Sequence, residues 1–172
     1  MRHLRLVIPA LLVASSALAQ GAPAALLADW QRDKANVLAY VDAMPESAMA
    51  FRPTPGVRTF AQQFDHIVGT NVDVAALLLQ QQAPTLGDSA QYLHHKAALR
   101  AYVAATYDYV LSAMSRATPA QWNRSAPIYG MPPQLPARWL ELSHEHSIWT
   151  LGQVVPYLRL NGVTPPSYSI PL

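Results

Sequence analysis

The chain has 172 residues, of which 51% are hydrophobic and 13% are charged, with no cysteine and a formal net charge of +2. This length favours one domain, and the charged fraction, about half the ~25% of ordinary soluble proteins, argues against a disordered tail. The absence of cysteine excludes disulfides, thiolate metal ligands and a cysteine nucleophile.

Residues 1–19 have the composition of a secretory signal peptide. Arg2 and Arg5 precede an apolar run over 6–14, and Ala17-Leu18-Ala19 is a small-x-small cleavage site. The apolar run is shorter than the roughly 20 residues of a membrane span. We therefore expect cleavage after Ala19 and a periplasmic or secreted protein that meets the membrane only before cleavage. Cleavage lowers Lys plus Arg from 12 to 10, equal to the 10 acidic residues, so nucleic-acid binding loses its electrostatic support.

Four amphipathic helices are predicted in the rest of the chain. They span about 24–44, 59–82, 90–117 and 138–161, and apolar side chains recur in them at three- and four-residue steps. In the second helix, Asn71 interrupts an otherwise apolar face. No run of strand periodicity longer than a few residues occurs in the sequence. The pattern predicts an all-α fold, a four-helix bundle.

The segment 119–137, between the third and fourth predicted helices, is the richest in helix breakers. It contains five prolines and one glycine. Proline lacks the backbone N–H that a helix interior needs, and its ring clashes with the preceding turn. The segment is therefore predicted to form a loop and not a helix.

Histidines are the remaining candidates for chemistry, because the sequence has neither a glycine-rich phosphate loop nor a nucleophile elbow. Imidazole binds zinc, copper, iron and nickel, and bundle interiors commonly hold such sites. Charged residues define the solvent side of the fourth helix and place His146 nearer its inner face than His144. For His146 the pattern fits a ligand or a hydrogen-bonded core histidine, and for His66 a solvated histidine or a pocket residue. His94 and His95 are expected at an exposed helix start.

The fourth helix resembles the last helix of the DinB-like superfamily. Members share a pattern of spaced residues, which this sequence matches at His146, Gly152, Gln153, Tyr157, Arg159, Gly162, Pro165 and Pro166. The stretch 44–46, followed by 52–60 and His66, is similar to the family's approach to its second helix. The resemblance covers nearly all of residues 24–168 and implies one DinB-like four-helix domain.

The resemblance also implies a divalent metal, zinc or nickel, held by three histidines. The matching positions are His66, His146 and Thr150, and the threonine is a departure, because a hydroxyl is a weaker ligand than imidazole for these metals. One hypothesis is a metal-dependent hydrolase or transferase, its metal bound by two histidines with water, Asp73 or Glu145. The other is a non-catalytic bundle that binds a small molecule or a partner protein in the same cleft. Because family bundles often dimerise, a homodimer is a further expectation.

Overall fold

This computed structural model describes residues 24–80 and 82–169, which form six α-helices, one short 3-10 turn and the loops between them. The helices are α1 (Ala24–Ala43), α2 (Phe60–Leu79), α3 (Ser89–Tyr92), α4 (Lys96–Arg116), α5 (Pro119–Trp122) and α6 (Pro136–Leu160), and the turn is Glu46–Ala48. These residues contain no β-strand, so the all-α prediction is confirmed. The predicted signal peptide, residues 1–19, lies outside the described residues.

The four long helices, α1, α2, α4 and α6, form a bundle. α2 packs against α4 and α6, and α1 packs against the same two helices, so α1 and α2 lie diagonally opposite each other. Each long helix contributes large, almost fully buried side chains to the interior, among them Trp30, Phe64, Tyr107 and Leu140. Burial of one such side chain contributes roughly 1.5–3 kcal/mol to stability. In the described part of the chain, no helix has the length and hydropathy of a membrane span.

The prediction of one continuous helix over 90–117 is wrong. The chain forms the four-residue α3 and then α4, with a break at 93–95. His95, the residue before α4, has an extended backbone and makes no side-chain cap. Both carboxylate oxygens of Glu46 instead lie 3.2 Å from the backbone nitrogen of Lys96. A negative charge here satisfies a free N–H and suits the positive end of the helix dipole, so this contact favours a new helix start.

The proline-rich segment 119–137 also contains a helix that its composition did not predict. α5 begins at Pro119, where the missing N–H costs nothing because the first helical N–H groups have no partner within the helix. Thr118 and Gln121 form a reciprocal capping box around this first turn. The remainder of the segment is a loop, closed by an isolated antiparallel bridge between Ala126 and Gln134.

Buried polar side chains link the four long helices in two pairs. Tyr107 of α4 donates a hydrogen bond to Asp33 of α1 at 2.7 Å. Ser143 and Ser147 of α6 donate to the Asn71 side-chain oxygen on α2 at 2.7 and 3.3 Å. These pairings explain why α2 carries an asparagine on its apolar face. Buried polar groups need partners, and this requirement restricts the register in which α6 packs against α2.

Candidate functional site

Two of the predicted site residues meet between α2 and α6. The Nε2 atoms of His66 and His146 lie 3.0 Å apart, and the two rings are nearly perpendicular, at 85°. Nitrogen ligands lie about 2.0–2.1 Å from zinc, so two imidazoles on one metal must have nitrogens within about 4 Å of each other. The separation is compatible with a shared metal. It is also the distance of a hydrogen bond in which one ring donates to the other.

The cap at the start of α2 and a contact between α6 and the segment before α2 help to position these histidines. Thr59 and Gln62 form a capping box, with bonds of 2.9 and 3.2 Å, that defines where α2 starts. His66 follows one turn after Gln62, on the same side of the helix. On α6, the hydroxyl of Tyr157 donates to the backbone oxygen of Arg58 at 2.8 Å and so ties the segment before α2 to the bundle.

The electrostatic environment keeps both imidazoles neutral. Burial lowers the pKa of His66, and repulsion from Arg58 and from a protonated His146 lowers it further, against a smaller opposing effect of Asp65. Burial and Arg58 likewise lower the pKa of His146. Because the ordinary histidine pKa of 6.5 is already below neutrality, both rings are unprotonated at pH 7. This is the form of imidazole that binds a metal.

Among the described residues, the structure places no third strong metal ligand beside His66 and His146. Thr150, at the third family position, is 2% exposed, one turn beyond His146. Asp73 lies two turns, about 10 Å, along α2 from His66, and its carboxylate accepts a hydrogen bond from Tyr129 at 2.5 Å. Within the described residues, no group of three or more His, Asp or Glu side chains is arranged to hold a metal. The residues present therefore fit a two-histidine site and not a three-histidine one.

Glu145 and the other described histidines are placed elsewhere. Glu145 neighbours His146 in sequence, but successive helical residues differ by 100° in direction, and its carboxylate lies 3.7 Å from Arg138. His144 is half-buried against Trp30, with ring centroids 6.2 Å apart. The exposed positions predicted for His94 and His95, near the start of α4, are confirmed.

A cavity of about 580 Å³ adjoins the histidine pair. α2 and α6 form two of its walls, and the loop between α5 and α6 forms a third. Most of the lining is apolar or aromatic, and the lining side chains include His66, Val74, Met131, Trp139, Leu142 and His146. The sequence allowed two environments for His66, bulk solvent or a pocket. The structure places this residue in the wall of a pocket.

Sequence reasoning missed the wall that the loop provides. Ile128, Tyr129 and Met131 all line the cavity. Tyr129 and Gly130 have positive φ angles of 52° and 74°, which turn the chain back over α2. At the base of the loop, the Trp139 indole donates to the backbone oxygen of Ala126 at 2.7 Å. Proline and glycine predicted a loop, but composition carries no information about which helix a loop covers.

The fold and the site define a class, namely four-helix bundles with an imidazole pair, from two long helices, beside a lateral pocket. The chain belongs to the DinB superfamily, whose sequence profile matches residues 29–155. Crystal structures of DinB-like proteins share the fold. YjoA of Bacillus subtilis has a TM-score of 0.68 at 14% identity, over 86% of this chain and 99% of its own. A DinB-like protein of Bacillus cereus ATCC 10987 has a TM-score of 0.68 at 16% identity, over 84% and 95%. No curated protein matches the chain.

Proposed function

We propose that this DinB-superfamily protein binds a divalent metal ion, zinc or nickel, on the side chains of His66 and His146. The observation that carries the proposal is the 3.0 Å separation of the two Nε2 atoms, in an environment that keeps both rings neutral. Imidazole is a preferred ligand of both metals. Two protein ligands would hold the ion with lower affinity than the three histidines of the family pattern, and would leave room for water or another ligand.

The chain's own residues define what a metal at this position would meet. His66 and His146 would hold it, and the apolar cavity wall would shield one side of it from bulk water. Arg58 adds a positive charge nearby, which lowers the pKa values of both histidines but also repels a cation bound to them. A bound divalent ion supplies a Lewis acid and lowers the pKa of coordinated water, which is the chemistry of a metal-dependent hydrolase or transferase.

The test is a metal titration of the purified protein after removal of adventitious metal with a chelator. We expect one zinc or nickel ion per chain by isothermal titration calorimetry. His66→Ala and His146→Ala should each weaken binding by about tenfold or more, because either change halves the protein ligand set. His94→Ala, which changes an exposed histidine, is the matched control. Equal binding by all four proteins would refute the proposal.

The cavity supports a second candidate function, a non-catalytic module that binds a small molecule. Its volume of about 580 Å³ falls within the roughly 300–1,000 Å³ of ligand sites, and such sites combine apolar walls with a few polar groups. This function needs no metal. It therefore predicts that ligand binding persists in the presence of a chelator, whatever the result of the metal titration.

We propose further that the protein acts outside the cytoplasm, as the N-terminal residues 1–19 indicate. The described domain suits this location in composition, because a chain without cysteine has no thiol to oxidise there. Cell fractionation with an antibody against the domain is the direct measurement. Recovery in the cytoplasm alone would contradict this part of the proposal.

A further inference from the structure

The cavity offers hydrogen-bond acceptors to a ligand, and almost no donors. Each of three hydroxyls in its lining donates to an acceptor within the protein: Ser143 to Asn71 at 2.7 Å, Thr70 to the His66 backbone oxygen at 3.4 Å, and Tyr129 to Asp73 at 2.5 Å. A hydroxyl that has donated its one proton presents only lone pairs. A ligand group at this wall must therefore be a donor.

The histidine pair extends the same pattern. At an Nε2–Nε2 separation of 3.0 Å, one ring donates its proton to the other. The accepting ring is also neutral, so it carries its one proton on Nδ1, away from the contact between the two rings. In the metal-free protein, the pair therefore provides no cationic group for an anionic ligand, and at most one neutral N–H donor.

Asp65 supplies the negative charge of the cavity lining. Oδ1 of Asp65 accepts hydrogen bonds from the hydroxyls of Tyr92 and Tyr102, at 3.0 and 3.3 Å. The two tyrosine rings are stacked, with centroids 4.0 Å apart and planes 8° apart, which holds the carboxylate in place. Within the described part of the chain, Oδ2 of Asp65 makes no hydrogen bond, so it is available to a ligand.

No cationic side chain competes for a ligand at this wall. Among the described residues, none of those that line the cavity is Lys or Arg. Arg58, whose charge acts on the histidines, is solvent-exposed and outside the lining. The lining thus combines one negative charge, several lone pairs and a hydrophobic surface that includes Trp139 and Met131. Carboxylate and phosphate groups have no complementary partner there.

We propose that this cavity binds an organic amine, with its ammonium group on Asp65 and its apolar body against Trp139, Met131 and Leu142. Ammonium provides three donors and a positive charge, which matches a carboxylate in a wall of acceptors. The aromatic surface adds an attraction for a cation and buries the apolar part of the molecule. The inference rests on the second candidate function, the small-molecule pocket, and is independent of metal binding.

Three probes of similar shape test this ligand class: 2-phenylethylamine, 2-phenylethanol and 3-phenylpropionate. A bound divalent ion would repel an ammonium group, so the titrations are performed at pH 7 with a chelator present. We expect the amine to bind about fivefold more tightly than the alcohol, the ratio that one partly exposed ion pair provides. The carboxylate should bind more weakly than the alcohol.

Two variants locate the recognition. Asp65→Asn keeps the oxygen that Tyr92 and Tyr102 need, so the local structure is retained while the charge is lost. It should lower amine affinity about fivefold and leave the alcohol unchanged. Asp108→Asn, at an exposed position on α4 outside the lining, removes an equal charge and should have little effect.

Each other outcome overturns a defined part of the reasoning. Equal binding of the amine and the alcohol, or equal loss in the two variants, overturns the amine inference but leaves the pocket function standing. Tighter binding of the carboxylate also overturns it. Failure of all three probes to bind at millimolar concentration overturns both the inference and the pocket function, whereas the metal titration remains a separate result.

Discussion

Asp33 is a buried carboxylic acid whose ionisation is expected to destabilise the bundle at neutral pH. It is 0% exposed on α1, and Tyr107 donates to one of its oxygens at 2.7 Å. The other oxygen is buried without a hydrogen-bond partner among the described residues. Burial raises the pKa of Asp33 from 3.8 to about 6, against smaller opposing effects of Tyr107 and Arg32.

The size of the effect follows from that shift. A pKa that is raised by folding means that the folded state binds the proton more tightly than the unfolded state. The resulting stabilisation is complete below the unfolded pKa of 3.8 and is lost as the pH rises through the folded pKa of about 6. At 1.36 kcal/mol per pKa unit, the full loss of stability is about 3 kcal/mol, of which roughly 2.4 kcal/mol falls between pH 4 and pH 7.

Asp33→Asn should therefore stabilise the protein at pH 7, by up to about 3 kcal/mol, and by little at pH 4. Asparagine has the same shape, stays neutral, and keeps an oxygen that accepts from Tyr107. Urea denaturation of both proteins at pH 4, 5, 6 and 7 measures the difference. Asp108→Asn, which removes an exposed carboxylate on α4, is the control and should change stability by less than about 1 kcal/mol. A difference between parent and variant that does not grow with pH would show that ionised Asp33 is well solvated.

Three further predictions concern the site and the N-terminus. Thr150→His should tighten zinc binding by about tenfold or more, because imidazole replaces a weak ligand one turn from His146. Unchanged zinc affinity in a folded variant would place position 150 away from the metal. Zinc affinity should stay constant as the pH is lowered to 6.5, the ordinary histidine pKa, and should fall only below it. The reason is that the pKa values of His66 and His146 are lowered. A loss of affinity that begins above pH 7 contradicts this prediction. Mass spectrometry of protein from the periplasm of a Gram-negative host should show cleavage after Ala19, and intact chains there would argue against it.

The four-helix bundle was predictable because the sequence signals for each helix lie within that helix or next to it. Apolar spacing within each segment marks the buried face of a helix, and Pro45 and Gly162 mark where helices end. The start of α4 was not predictable in this way, because its cap is the carboxylate of Glu46, 50 residues earlier in the chain. The short helix α5 did carry a local signature, the Thr118–Gln121 capping box, which the density of prolines outweighed in the sequence reasoning.

By itself, the sequence determined the fold class and the helices that carry His66 and His146. Helical phase is a property of one segment, so it can be calculated without knowing the neighbours. The tertiary structure decided whether His66 meets water or a partner, since that depends on how α2 and α6 pack. It also decided that Asp65 and Tyr129 share a wall with the histidines. Tyr129 and His146 are far from Asp65 and His66 in the sequence, and Asp65 and His66 point in different directions on α2. The packing of the helices and the loop brings all four to one cavity.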